Sequence, residues 1–313
     1  MTNDLPAFDD LPVIDGLGLR HAWGVFGDAD DLGTINLLTP DCVVKASRLV
    51  ETGEVVNLSL PLTEPEPPLF GREPLRHEIH NIDRNTLDDS VSSLFTQASS
   101  QWDGLRHIRA REFGYYGGVT DDFEPGAGRL GIEHWAAHGM VGRGLLLDVA
   151  AYFEAQGEPF DPHAARAVSA DDLRAVADHQ GVAIETGDVL CLRFGWVERY
   201  QALNRPAREK YAANVTAAGL AGSEDMARLL WDWHVAAVAC DNPAVEVAPG
   251  DSAVGSLHRR LLPLLGFAFG EMLDFSVLAD RLRERARWTF MFTAVPLNLP
   301  GGVGSPANAV AIL

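Results

Sequence analysis

The run Gly144-Leu145-Leu146-Leu147-Asp148-Val149 sets the fold class, because its apolar residues are consecutive instead of alternating. A strand with one wet face alternates, so a short unbroken apolar run reads as a strand covered on both faces. Four more runs of this kind lie at Val55–Leu60, Asp188–Phe194, Val235–Cys240 and Trp288–Val295. Helices with readable ends separate them. Thr39 offers an N-cap ahead of Pro40 at the first helical position, and this helix is expected to reach Glu51 and stop near Gly53. Ser169 caps Ala170–Gln180, with Asp172 at the third position and Gly181 as the stop, and Ser223 caps Glu224–Trp233. Strands alternating with helices through the middle of the chain specify an α/β protein. The Gly- and Pro-rich first third does not fit repeated βαβ units. The expected architecture is therefore a mixed, barrel-like β-sheet flanked by helices.

No repeat, low-complexity tract or long linker divides the 313 residues, so one domain is expected. Glu64-Pro65-Glu66-Pro67-Pro68, the densest proline cluster, reads as a stiff connector or rim loop. Hydrophobic residues make up 47% and charged residues 22%, a balance that supports a large core and excludes disorder or a fibre. The 25 Lys and Arg residues against 44 Asp and Glu leave a net charge of −19, so a polyanion is repelled and nucleic acid is not an expected partner. No apolar run approaches the roughly 18 residues that cross a bilayer. The N-terminus is acidic, with no basic and apolar leader, so a cytoplasmic protein with no membrane partner is expected. Cys42, Cys191 and Cys240 are too scattered for a disulfide framework and read as small buried hydrophobes.

Several common chemical signatures are missing, among them the Walker A loop, the GxSxG elbow and HExxH. His77-Glu78-Ile79-His80 comes nearest to a zinc helix, but its histidines are three apart and no helical periodicity surrounds them. It reads as a polar loop at the mouth of a site. Gly301-Gly302-Val303-Gly304-Ser305-Pro306 is no phosphate loop, because Pro306 lacks an amide donor and too little chain follows for a βαβ unit. A turn aiming backbone amides at a carbonyl oxygen is the functional alternative to a plain tight turn. The richest segment is Thr96-Gln97-Ala98-Ser99-Ser100-Gln101-Trp102-Asp103-Gly104-Leu105-Arg106-His107. Its hydroxyls, amides, carboxylate and imidazole make it too polar for a strand core, and it is expected to be a loop.

This segment resembles the signature His-x-Gly-Thr-His-x-Asp-x-x-x-His of the cyclase family, metal-dependent hydrolases that include bacterial kynurenine formamidase and isatin hydrolase. Asp103 and His107 align with the last two positions, whereas Gln97 and Gln101 stand where the family has histidines, and Ser99 and Ser100 where it has Gly and Thr. Similarity extends to Trp23-Gly24 through Leu38, Arg143–Val149, Gly187–Leu190, Asp241–Glu246, Pro296–Pro306, and a His258 and Glu271 pair. The resemblance implies a swivelling β/β/α-like fold in one domain over 1–313, with an N-terminal extension at about 1–38. It implies a homodimer or homotetramer, with Trp23 near the partner's pocket.

In the family the motif holds zinc or manganese, which polarises a carbonyl and acidifies a bound water. The resemblance thus places Asp103, His258 and Glu271 as metal ligands, a set suited to manganese over zinc, with glutamine a weak substitute for imidazole. Restoring histidines at Gln97 and Gln101 is expected to raise metal affinity. Three outcomes are open: a bound divalent metal; a metal-free site in which Gln97, Gln101 and Ser100 hydrogen-bond a substrate oxygen; or a non-catalytic small-molecule-binding relic. For an enzyme, the resemblance implies arylformamidase-like hydrolysis of an amide, lactam or lactone in a small aromatic substrate. His107 would take the proton of water, Asp103 would hold the metal or orient the imidazole, and Ser100 or the Gly304-Ser305 turn would support the oxyanion. A metal-independent cyclase or lyase with His107 as base is the alternative. Trp23, Trp102 and Tyr116, with Phe113 and Tyr115, are the expected pocket aromatics, and Arg106 the partner of a substrate carboxylate or of a surface acid.

Overall fold

The computed structural model describes residues 5–313, so the first four residues of the expected domain lie outside it. In chain order the strands are β1 (Val55–Asn57), β2 (Arg76–Asp83), β3 (Thr86–Ser92), β4 (Gln101–Asp103), β5 (Met140–Asp148) and β6 (Ala167–Val168). There follow β7 (Val189–Arg193), β8 (Gly219–Leu220), β9 (Ala237–Cys240), β10 (Ala268–Glu271), β11 (Thr289–Ala294), β12 (Gly304–Pro306) and β13 (Ala309–Ile312). Nine of them form one sheet in the order β1-β13-β11-β5-β7-β9-β10-β4-β12. The pairs among β5, β7, β9 and β10 are parallel and the others antiparallel, so the sheet is mixed. β12 and β13 sit at or next to opposite ends of this order, yet only Ala307 and Asn308 separate them in the chain. Three Cα steps span at most about 11 Å, so the two ends of the sheet must approach each other. The sheet is curled, as the barrel-like expectation requires.

All five apolar runs contain strands, but β1 and β11 alternate buried with more exposed positions, and only β5, β7 and β9 are covered on both faces as expected. Leu145, Leu147, Leu190, Leu192, Val238 and Cys240 pack into one core, while Leu146, Val189, Cys191, Ala237 and Ala239 pack into a second core on the other face. Both faces of β5, β7 and β9 are therefore dry. Ser169 closes a full capping box: its Oγ accepts from Asp172 N at 3.1 Å and the Asp172 carboxylate accepts from Ser169 N at 2.9 Å. Gly181 ends that helix in the left-handed conformation at φ 63°. The helix after Thr39 covers Pro40–Ser47 and stops short of Glu51. The amides of Thr52 and Gly53 bond to Leu313 O at 3.0 and 2.7 Å, which draws the chain away to β1.

The described part of the expected N-terminal extension is woven into the same cores through Phe8, Leu11, Ala22, Ile35 and Leu37. Thr34 N donates to Gly266 O at 2.8 Å, and a Cβ on Gly33 would lie 2.0 Å from that carbonyl oxygen, so only glycine fits there. Two segments differ from expectation. His77–His80 is no loop but part of an exposed two-stranded hairpin formed by β2 and β3. The centre of the polar Thr96–His107 segment is β4, wedged between β10 and β12. Its polar side chains are tolerated in the sheet because they face one another instead of the apolar cores.

Candidate active site

Strand alternation sorts β4 into two faces. Trp102 points into the second core, while Gln101 and Asp103 point the other way, opposite Glu271 and Phe269 of β10. Gln101 Nε2 donates to Glu271 Oε2 at 2.6 Å. His258 reaches the same spot from the short helix Leu257–Arg260, capped by Ser256, and its Nε2 lies 3.1 Å from Glu271 Oε1 and 3.7 Å from Asp103 Oδ2. His107 completes the group, with Nε2 at 3.5 Å from Asp103 Oδ2 and its ring centroid 6.4 Å from that of His258. Four residues spanning 168 positions of sequence, from 103 to 271, thus surround one small hollow. Asp103 and Glu271 are buried, while the side chains of His107 and His258 keep 26% and 15% of their surface exposed and form its accessible wall.

Charge is tightly packed here. Burial would depress His258, but the carboxylates of Asp103, Glu246 and Glu271 around it outweigh that and raise its pKa well above the ordinary imidazole value. Burial lowers His107, against the attraction of Asp103, which favours the neutral imidazole. Burial and the neighbouring Asp103 push the Glu271 carboxyl up. The sequence reading missed two participants. Glu246 accepts from His258 Nδ1 at 2.8 Å, from the amides of Leu257 and His258 at 2.6 and 3.1 Å, and from Ser256 Oγ at 3.0 Å. It orients the imidazole as an outer carboxylate does in many metal sites. Its signal was present in the Asp241–Glu246 stretch, but a carboxylate that supports another residue leaves no spacing of its own. Arg72 is the other; its positive charge acts on both His107 and Glu271.

Other expected site residues are turned elsewhere. Trp102 is fully buried, its Nε1 donates to Ala307 O at 3.0 Å, and it meets Phe292 edge-on, which makes it a core residue instead of a pocket aromatic. A Cβ on Gly270 would come within 3.0 Å of its ring. Tyr116 is likewise buried, packed against Gly266, and burial pushes its hydroxyl up beyond the usual range. Arg106 donates to the carbonyls of Arg129 and Gly301 at 2.7 and 2.8 Å and lies 4.1 Å from the Phe123 ring centroid, so it ties loops together and pairs with no carboxylate. The Ser100 hydroxyl is occupied, donating to Met272 O at 2.5 Å and accepting from Leu60 N at 2.8 Å, so it fastens strands and is not free for an oxyanion. The expected Gly304-Ser305 turn is instead the terminal strand β12, paired with β4, and Ser305 Oγ is occupied, accepting from Leu297 N and donating to Pro306 O. Gln97 accepts from Thr96 Oγ1 at 2.9 Å and its amide nitrogen lies against Gly304. Trp23 is partly buried, donating Nε1 to Pro263 O at 2.8 Å.

The donor set fits a divalent cation. Asp103, His258 and Glu271 each offer one ligand atom, and these atoms lie within 4.8 Å of one another. Both Asp103 oxygens and Gln101 Oε1 are buried without a hydrogen-bond partner among the described residues. Orphaned acceptors of this kind are costly unless a cation or a proton satisfies them. Two carboxylates and one imidazole form an oxygen-rich set of the kind that suits a divalent cation.

The family model described as "Putative cyclase" matches residues 56–247. Among solved structures, a novel cyclase is 29% identical, with 94% of this chain and 99% of that chain covered and a TM-score of 0.82. Isatin hydrolase A from Labrenzia aggregata, solved with benzyl benzoate, is 16% identical over 85% of this chain and 94% of that one, at a TM-score of 0.60. A predicted metal-dependent hydrolase from Bacillus stearothermophilus is 17% identical over 82% of this chain and 97% of that one, at 0.50. No curated protein matches the sequence. The family match covers more than half of the chain: the chain belongs to the cyclase family.

Proposed function

We propose that this protein is a hydrolase that opens an amide, lactam or lactone bond of a small aromatic molecule by attack of water on the carbonyl. The observation that carries this reading is the accessible His107 imidazole 3.5 Å from the buried Asp103 carboxylate, whose oxygens have no hydrogen-bond partner among the described residues. Asp103, His258 and Glu271 would hold the metal, with Gln101 Oε1 beside them. When bound, a divalent cation there supplies polarisation of the carbonyl and a lower pKa for water. His107 would accept the proton and return it to the leaving nitrogen or oxygen, a role that contributes typically about 10²- to 10⁴-fold. Glu246 holds the His258 ring in orientation through Nδ1. The isatin hydrolase likeness supports the choice of a cyclic amide among the substrates to be tried.

A second reading has its own support. Both ring nitrogens of His258 face carboxylates, and an imidazolium there offsets Glu246 and Glu271 with no metal present. In that state His107 serves as the base of a metal-independent cyclase or lyase. The test is a turnover screen over an arylformamide, isatin and simple lactones, with and without Mn²⁺ or Zn²⁺, on wild type and His107→Ala. Hydrolysis that rises with metal and collapses in the variant is expected. Activity unchanged in His107→Ala removes the role given to that residue, and turnover indifferent to chelation favours the second reading.

A further inference from the structure

A cavity of about 620 Å³ opens on His258 and Glu246, large enough for a drug-sized organic molecule. Its rim carries Arg109, Arg111, Arg259 and Arg260. Two of these are engaged: Arg260 contacts Gly222 O, Val254 O and, at 3.8 Å, Glu224, and Arg109 contacts Thr120 O and, at 3.8 Å, Asp122. Arg111 and Arg259 make no side-chain hydrogen bond or ion pair among the described residues, and both are exposed. Of the lining carboxylates, Glu246 is paired with His258 and Asp251 accepts from the amide of Ala253 at 2.8 Å, and neither forms an ion pair with Arg111 or Arg259 among the described residues. In a chain with 44 acidic residues and a net charge of −19, guanidinium groups left unmatched beside a concave surface are a local reversal of the global field. Arg111 is also held at φ 51°, a left-handed backbone that a side-chain-bearing residue adopts at a cost. Leu17 and Leu19 supply an apolar wall for the body of a ligand.

We propose that this cavity is a carboxylate subsite, in which Arg111 and Arg259 hold an anionic group of the substrate while its reactive carbonyl lies at the His258 end. The planar guanidinium fork matches a carboxylate, and two such groups lining one cavity select for it over a neutral isostere. The inference rests on the proposed hydrolase and narrows its substrates to small aromatic carboxylates.

Calorimetric titration of the purified full chain at low salt with benzoate and with benzamide tests it. Benzoate is expected to bind about tenfold more tightly than benzamide, and the preference is expected to vanish in R111A/R259A and to persist in R48A/R84A, which removes two exposed charges elsewhere. Equal binding of the two probes to wild type, or an undiminished benzoate preference in R111A/R259A, overturns the proposal. In turnover, R111A/R259A is expected to raise KM for N-formylanthranilate with kcat retained, and to leave formanilide unaffected. Charge-selective binding with no hydrolysis of any substrate would keep the subsite and discard the hydrolase. Hydrolysis without charge selectivity would do the reverse.

Discussion

Two stretches of this chain look alike as sequence and have opposite fates in the fold. Arg76–Ser92 holds His77, Glu78, His80, Asp83, Asp88 and Asp89; Gln97–His107 holds two amides, Asp103 and His107. The first becomes a hairpin in which every residue is exposed and the polar groups satisfy each other across the ribbon, His77 on Asp89 and His80 on Ser90, both at 2.8 Å. The second centres on the buried strand Gln101–Asp103, whose Asp103 oxygens have no hydrogen-bond partner among the described residues. Exposed pairs of this kind contribute little, because water competes for every group. Buried, unsatisfied groups store the free energy that a cation, a proton or a substrate can recover. Burial with convergence, and not the density of ligand-type residues, separates a site from a polar surface.

That contrast can be broken most sharply at Asp103. Asp103→Asn is expected to lower kcat/KM by about 10²- to 10³-fold, read on whichever substrate of the screen is turned over. A variant within a few-fold of wild type would place the chemistry elsewhere. On the opposite face of the same strand, Trp102→Ala is expected to destabilise the fold by about 3–5 kcal/mol in denaturant unfolding. A smaller change together with altered substrate preference would return Trp102 to the pocket.

His163 sharpens the comparison from a third position. It stacks on Tyr211 at 4.3 Å between centroids, and burial pushes its pKa down to about 4. The unfolded chain protonates this imidazole near its ordinary value of about 6.5, so between there and pH 4 the unfolded state binds more protons. Its contribution is whole above pH 6.5 and is lost as pH falls toward 4. Denaturant midpoints measured from pH 7.5 to 4.5 are expected to fall, less steeply in His163→Phe; identical slopes would show that His163 is solvated. The smallest effect belongs to the hairpin, where the double variant H77A/H80A should shift stability by less than about 0.5 kcal/mol and leave turnover unchanged. A large loss of activity there would mean that the ribbon serves a site after all.

What the residues determine locally was legible without coordinates. The apolar runs around Leu146 and Leu190 specify strands dry on both faces, and Ser169 with Asp172 and Gly181 delimits a helix, because periodicity and capping act over a few neighbours. Asp103, His107, His258 and Glu271 could be nominated from their places in a familiar pattern. The curled sheet decided the rest. It made the polar segment at Gln101 a strand, turned Trp102 and Tyr116 into the core, spent Arg106 and Ser100 on loop and strand ties, and recruited Glu246 behind His258. The Trp102, Ser100 and Arg106 contacts to Ala307, Met272 and Gly301 join residues more than a hundred positions apart, and side-chain direction at such contacts is set by which strands become neighbours, a property no local stretch of chain encodes.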